Sequence, residues 1–253
     1  TIGVATLSLA DVLGRERPDL LVLIADRYEM LAPAATALAL RIPIVHIEGG
    51  DVSEGAIDEA VRNALTKLSH IHLTPTETAR KRVLAMGEES WRVHRVGAPS
   101  LDHLYRRNVP SQSEVEAELG VGLDRPTVLV LYHPVTLARD TTCEADALYA
   151  ALEEVESQII FCFPNADAGS RALIERSKAF CRNRDDRHLF ISLNHQIYWG
   201  LLRSVDILVG NSSSGIMETP SLKLPSVNVG LRQKGRERRS EEHTSELQSP
   251  SAI

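Results

Sequence analysis

The sequence predicts the α/β class, with two domains built on parallel sheets. Two observations point there. Short runs rich in Val, Ile and Leu alternate with amphipathic stretches of helical period, the pattern of βαβ units whose sheet is covered on both faces. Nine such runs are too many for one small unit, and a polar stretch near the middle, "NVPSQSEVEAELGVGLDRP", with Pro110, Gly120, Gly122 and Pro126, separates two blocks.

In chain order the expected strands are 20–25, 44–47, 71–74, 93–96, 127–132, 158–163, 189–192, 207–209 and 226–229. The helices read between them are 27–40, 56–68, 76–86, 143–155 and 169–181. The third is signalled by "TPTE", with Thr74 as N-cap, Pro75 at the first position and Glu77 at the third, a capping box with proline where it is tolerated. The expected domains are residues 1–105 and 126–238, joined by a link over 106–125.

Both ends stand out. Little precedes the first strong strand, and no initial methionine or signal peptide is present, so an upstream segment is expected to be missing. "RSEEHTSELQS", from Arg239 to Ser249, resembles the translation of a common sequencing adapter. Residues 239–253 are therefore set aside as a non-native tail.

The 253 residues are 43% hydrophobic and 25% charged, enough for a sizeable core. A formal charge of −6 gives no basic footprint for nucleic acid, and it becomes −4 without the tail. No apolar run approaches the roughly 18 residues of a membrane span. A soluble, cytoplasmic protein is expected. The three cysteines, Cys143, Cys162 and Cys181, lack metal-ligand spacing and read as structural thiols.

Ligands of open parallel sheets collect at the carboxyl ends of strands, which selects Asp26 and Arg27, Glu48 to Asp51, His133, Asn165 to Gly169, and Asn211 to Gly215. Each has an ordinary reading beside the chemical one. Asp26 is an N-cap or an acid, and Arg27 binds a phosphate or lies along the surface. Glu48 precedes Gly49 and Gly50, which permit a sharp turn near a ligand, yet a lone strand-end glutamate is commonly solvated. Asp58 and Arg62 stand four apart and read as a helix-face ion pair, Glu54 and Glu59 as solvated, and Asp51 as undecided. The chemical reading requires acids to converge, because neighbouring, partly desolvated carboxylates acquire separated pKa values suited to acid and base roles.

His133 of "VLVLYHPVT" ends the strongest strand of the second half, with Pro134 turning the chain away. It is a hydrogen-bonded structural group, a proton donor or a phosphate contact. In "FPNADAGS", Asn165 is placed to contact a base or sugar, and Asp167 or Ser170 to cap a helix. "VGNSSSGIMETPS" joins a strand to a short helix through small polar residues, either a plain turn or an anion cradle of hydroxyls and N–H groups. It lacks the Gly-Lys-Ser/Thr triplet of a Walker loop. Glu218 is placed for ribose hydroxyls and Arg232 of "GLRQKGR" for a diphosphate.

Together, "ADRYEM", "HIEGGDVSEGAIDEAVRNALTKLSH", "VGAPSLD", "HPVT", "FPNADAGS", "GNSSSGI" and "RQKGR" resemble the hydrolysing UDP-N-acetylglucosamine 2-epimerases, most closely the sialic- and legionaminic-acid branch. The resemblance covers roughly residues 2 to 238. It implies two Rossmann-like domains in a glycosyltransferase-B-like architecture, the first incomplete, with the active site between them. It implies Asp26, Glu48, Asp58 and His133 as catalytic residues. Arg27, Asn165, Ser212, Ser213, Glu218 and Arg232 would then contact UDP.

The implied reaction converts UDP-GlcNAc to UDP and ManNAc through elimination to a 2-acetamidoglucal and hydration, with no metal or cofactor, in a homo-oligomer when complete. Two alternatives remain: the same chemistry on a UDP-2,4-diacetamido-2,4,6-trideoxy sugar, and a glycosyltransferase of the same architecture, which does not require the three acids. A non-catalytic nucleotide-sugar-binding remnant is a third reading, because the family's opening strand, glycine-arginine loop and closing helix are expected to be missing. That puts the activity of the 253-residue chain itself in question.

Overall fold

The computed structural model describes residues 2–24, 26–52, 57–105, 109–134, 144–163 and 170–237, and the backbone of 243–245. The chain forms two compact α/β units. The first comprises Thr1–Pro99 with Gly235–Glu237, and the second Ser100–Lys234 with Arg238–Ile253.

The first unit runs α1 (Ile2–Glu16), β1 (Leu21–Ile24), α2 (Leu31–Ala39), β2 (Ile44–Ile47), α3 (Asp58–Leu68), β3 (Ile71–Thr74), α4 (Glu77–Ala85) and β4 (Val93–Arg95). The four strands pair in chain order, all parallel. Ala34 and Ala37 of α2 and Val61 and Leu65 of α3 share a core with Leu23 and Ile44 of the sheet.

Three details differ from the sequence reading. Helix α1 precedes the first strand, where no helix was read; it buries only Leu13, while Val4 and Leu7 are exposed, so it shows no clear apolar stripe. The expected helix 27–40 begins as a 3₁₀ turn over Tyr28–Met30, and α2 starts at Leu31, which places Pro33 in its first turn, where the missing N–H costs no helical bond. The cap of α4 is Thr76, whose side chain accepts from the Ala79 N–H. Thr74 cannot serve, because it is still in the β3 ladder and its hydroxyl donates to the His94 carbonyl.

A buried carboxylate ties the lower layer of this unit together. Glu88, with only 4% of its side chain exposed, accepts from Lys67 Nζ of α3 at 2.5 Å and Arg92 Nη2 at 2.8 Å, and lies 3.2 Å from His72 Nε2 of β3. Burial alone would raise the Glu88 carboxyl, but Lys67, His72 and Arg92 outweigh it and hold it below its ordinary range. Burial, aided by the charges of Arg92 and Lys67 against the pull of Glu88, holds the His72 imidazole below its ordinary value. Both groups thus bind protons more tightly in the unfolded chain, so their stabilisation is present above the unfolded values of about 6.5 and about 4.3 and is lost as pH falls below these through the lower folded-state values. The melting temperature is expected to drop as pH falls from 7 to 4, and Glu88→Gln to melt lower at pH 7 with a shallower decline below about pH 4.3. Equal curves for the two proteins would remove this role.

The second unit runs α5 (Asp102–Tyr105), α6 (Gln112–Leu119), β5 (Thr127–Leu131), α7 (Ala145–Glu153), β6 (Gln158–Phe163), α8 (Ser170–Cys181), β7 (Arg187–Ile191), α9 (His195–Ser204), β8 (Ile207–Gly210), α10 (Ser214–Met217), α11 (Thr219–Leu222), β9 (Ser226–Val229) and β10 (His243–Ser245). Its six strands are parallel in the order β10-β9-β8-β5-β6-β7. Alternate residues of β5 and β6 face opposite ways. Leu129, Leu131, Ile160 and Cys162 pack with α6 and α9, and Val128, Val130, Ile159 and Phe161 with α7 and α8.

The stretch expected as a link contains α6, closed at its start by a capping box of Ser111 and Glu114 and at its end by Gly120 in the left-handed conformation. Val115, Val121 and Leu123 belong to the core of the second unit. Strand β7 begins two residues before the expected start, because its first residue is a buried arginine: Arg187 donates to the carbonyls of Ser157 at 2.6 Å and Val155 at 3.0 Å. Helix α9, absent from the sequence reading, is capped by Asn194 and buries Trp199, Leu201 and Leu202. Residues 239–253, set aside from the sequence, supply β10, which pairs with β9 through His243↔Val227 to Ser245↔Val229.

The order of the strands matters more for function than their number. From β5 the chain moves one way through β6 and β7, then returns to place β8 on the other side of β5. The carboxyl ends of β5 and β8 therefore flank a topological switch point, where ligands of open α/β sheets bind. Among the described residues no helix is long and apolar enough to cross a membrane.

Candidate active site

In the first unit, Asp26 lies two residues past Ile24 and Glu48 directly follows Ile47, and Ile24 and Ile47 are register partners. The two carboxylates thus leave adjacent strands at the same edge. Glu48 holds φ +69°, a left-handed backbone that costs a non-glycine residue about 1 kcal/mol or more, and its N–H is pinned to the Leu73 carbonyl at 2.9 Å. Gly50 follows with φ +84°, and a methyl there would overlap the Ala79 carbonyl, so the second glycine of "EGG" is required by close approach to α4.

Helix α3 reaches the same edge. Arg62 is 1% exposed, and its guanidinium binds Asp26 Oδ2 and the Asp51 carbonyl, the latter at 2.9 Å. Asp58 occupies the first turn of this helix, half-buried. Arg62 therefore serves a residue 36 positions upstream, a role its i,i+4 spacing from Asp58 does not reveal. Asp51, undecided from the sequence, accepts from the Val52 N–H at 2.9 Å and pairs with Arg236 at 3.0 Å. Arg236 belongs to the segment Gly235–Glu237, where Glu237 also accepts from the hydroxyls of Thr76 at 2.7 Å and Thr78 at 2.9 Å. Arg27 is half exposed and bonds Glu29 at 3.3 Å.

In the second unit, a cavity of about 350 Å³ opens at the carboxyl ends of β5, β6 and β7. Leu131, His133, Phe163, Leu193, His195 and Tyr198 are among its walls, and Ser212 brings the turn after β8 to it. An apolar cavity with a few polar tips suits a flat, partly polar ligand. Trp199 Nε1 donates to His195 Nε2 at 3.2 Å, so the neutral ring of His195 carries its proton on Nδ1. Burial, and then the neighbouring His103 ring 4.2 Å away, hold His195 below its ordinary pKa and keep it neutral near pH 7. No sequence signal marked His195, because α9 itself was not legible.

The later N–H groups of the turn after β8 are bonded within the turn. The N–H of Ser214 bonds Ser212 Oγ at 3.3 Å, that of Gly215 bonds the Ser212 carbonyl at 3.2 Å, and that of Ile216 bonds the Ser213 carbonyl at 2.9 Å. Ser214 Oγ accepts from Tyr198 at 2.6 Å. Ser212 and Ser213, at the start of the turn, are half-buried. Glu218 sits between α10 and α11, half-buried, close enough that its charge helps raise the buried Tyr198 phenol, after the larger effect of burial. Arg232 Nη1 donates to the Asn211 carbonyl at 3.1 Å. Asn165 and Asp167 lie outside the described residues, as do Glu54 and Cys143.

Burial pushes the Cys162 and Cys181 thiols up to about 11, which leaves them protonated and inert at neutral pH, in keeping with structural cysteines. Among the described residues, no group of three or more His, Cys, Asp or Glu side chains is arranged to hold a metal ion.

The family model described as UDP-N-acetylglucosamine 2-epimerase matches residues 1–249. The chain belongs to this family. The match runs on through most of the 239–253 stretch that the sequence set aside. A GDP/UDP-N,N'-diacetylbacillosamine 2-epimerase (hydrolyzing) of Campylobacter jejuni is 36% identical over 239 residues, covering 93% of this chain and 62% of that protein. A UDP-N,N'-diacetylbacillosamine 2-epimerase (hydrolyzing) of Legionella pneumophila is 37% identical over 238 residues, covering 94% and 63%. The chain thus spans less than two thirds of these relatives. In fold it is similar to the UDP-GlcNAc 2-epimerase of Methanocaldococcus jannaschii crystallised with UDP-GlcNAc and UDP, with a TM-score of 0.75 at 20% identity, covering 90% of this chain and 64% of that one.

Proposed function

We propose that the complete protein is a hydrolysing 2-epimerase, releasing UDP from a UDP-2-acetamido sugar and inverting C2 by elimination and hydration. The observation that carries this reading is the buried Arg62–Asp26 pair, which anchors α3, opening with Asp58, at the edge where Glu48 leaves β2. A glycosyltransferase of the same architecture does not require three acids in the first domain.

The C2 proton is weakly acidic, so its removal requires a positioned base, and one carboxylate of Asp26, Glu48 and Asp58 takes it. The C1–O bond breaks, the electron pair leaves with UDP, and a C1=C2 double bond remains. Water then adds hydroxyl to C1, and a protonated member of the acid set returns a proton to C2 on the opposite face. Charge developing on the departing diphosphate is met by His133, Ser212, Ser213 and Arg232, with Arg27 and Asn165 completing the UDP contacts and Glu218 accepting from ribose hydroxyls.

UDP-GlcNAc yielding ManNAc is the reference substrate. The names of the Campylobacter and Legionella relatives favour a second, the UDP-2,4-diacetamido-2,4,6-trideoxy sugar, on the same chemistry. The chain extended to its relatives' length is expected to release free UDP and a free 2-acetamido sugar from one of these substrates. Recovery of only a UDP-linked epimer would overturn the hydrolytic reading, and transfer of the sugar to an acceptor would favour the transferase.

A further inference from the structure

The side chain of Asn211 is 0% exposed at the switch point of the second unit, and the proposed chemistry has assigned it no task. Its Oδ1 accepts from the His133 N–H at 2.7 Å, and its Nδ2 donates to the His133 carbonyl at 2.8 Å. This reciprocal pair grips both backbone polar groups of one residue, beyond the end of the β5 ladder. Asparagine fits because it presents an acceptor and a donor side by side on one short, planar amide. The Asn211 N–H is held in turn by the Leu131 carbonyl at 3.0 Å, and the Asn211 carbonyl receives Arg232 Nη1 at 3.1 Å and Gln233 Nε2 at 2.8 Å.

Gly210 makes this approach possible. With φ +145°, it lets β8 pass so close to β5 that a methyl would overlap the Leu131 carbonyl. One residue thus joins the segments following three strands: His133 after β5, the serine turn after β8, and the arginine loop after β9.

We propose that Asn211 is the positioning residue of the UDP half-site, fixing the His133 backbone against Arg232 so that both meet the diphosphate together. It acts through them and does not touch substrate. This inference rests on the nucleotide-sugar reading above. A displacement of about 1 Å at a reacting group costs on the order of 100-fold in rate, so a residue that fixes the relative placement of two ligand contacts governs affinity and turnover alike.

Asn211→Asp is the discriminating variant. It preserves shape and one acceptor, but at neutral pH it points a carboxylate oxygen at the His133 carbonyl. Protonation restores a donor at that oxygen, so the defect is expected to be reversible with acid, which a general loss of packing would not be. Calorimetric titration of the 253-residue chain with UDP is expected to show affinity reduced by about 30-fold or more in Asn211→Asp at pH 8, and the ratio to wild type narrowing at least about fivefold by pH 5.5, as burial raises the new carboxyl into that window.

Wild-type chain that does not bind UDP would overturn the nucleotide-sugar reading and this inference with it. Wild-type binding with Asn211→Asp within about twofold at pH 8, or a defect unchanged by acid, would overturn this inference alone. Should the variant not fold, amide hydrogen exchange on the wild type decides: UDP must slow exchange at the His133 N–H and the Asn211 side-chain amide. No change at either would overturn the proposal.

Discussion

Arg62→Met is expected to destabilise the chain by about 3 kcal/mol, because removing one partner of a buried ion pair leaves the other charge without compensation. Arg62 is 2% exposed in its side chain and binds both Asp26 and the Asp51 carbonyl, whereas the Asp26 side chain is 22% exposed, which lets water recover part of the loss. Methionine fills most of the vacated volume, so the cost reads the polar contacts more than a cavity. Urea unfolding followed by circular dichroism measures it, and a change below about 1 kcal/mol would mean the pair is of surface strength. Asp26→Asn combined with Arg62→Met should cost less than the sum of the single changes, since each removes the same interaction.

Asp58→Asn is expected to lower kcat of the extended protein by roughly 1,000-fold while leaving KM within about threefold, the mark of a group that moves a proton in the transition state. The substitution keeps size and one acceptor, exchanges the other oxygen for an N–H donor, and removes the charge and the capacity for proton transfer. Steady-state kinetics on the preferred UDP-sugar decide it. A rise in KM at unchanged kcat would make Asp58 a binding residue and leave Asp26 and Glu48 to carry the chemistry.

Much of the sheet framework was legible because its strands carry short apolar clusters that alternate with stretches of helical period. β2, β3, β6 and β9 begin and end where the residues indicate. Failures of reading fall where burial and composition part company. Strand β7 starts on a buried arginine, α1 exposes its apolar residues, and α9 mixes His195, Gln196 and Tyr198 into a helix whose stripe is aromatic as much as aliphatic. The polar composition of α6 masks a core contribution from Val115.

The strand-end rule selected Asp26, Glu48, His133 and the serine turn, and these follow β1, β2, β5 and β8, because residues at carboxyl edges are set by topology alone. It was blind to pairings between residues far apart in sequence, even where, as at Asn211, it had selected one of the two. Arg62 reaches Asp26 across 36 residues, Asn211 reaches His133 across 78, and Arg236 reaches Asp51 from the far end of the chain. Spacing in one dimension carries no trace of such pairs. The interior hydrogen bonds of the serine turn were hidden for the same reason, since they depend on the backbone path after Gly210 and not on the hydroxyl count.

In the proposed chemistry, carboxylates of the first unit, Asp58 among them, remove and replace the proton at C2. Turnover of the UDP-2-acetamido sugar by the extended protein in deuterated water, followed by NMR of the released sugar, tests it most directly. One deuterium at C2 is expected in every product molecule, with inverted configuration. Free UDP beside a sugar that keeps its original C2 hydrogen would contradict it.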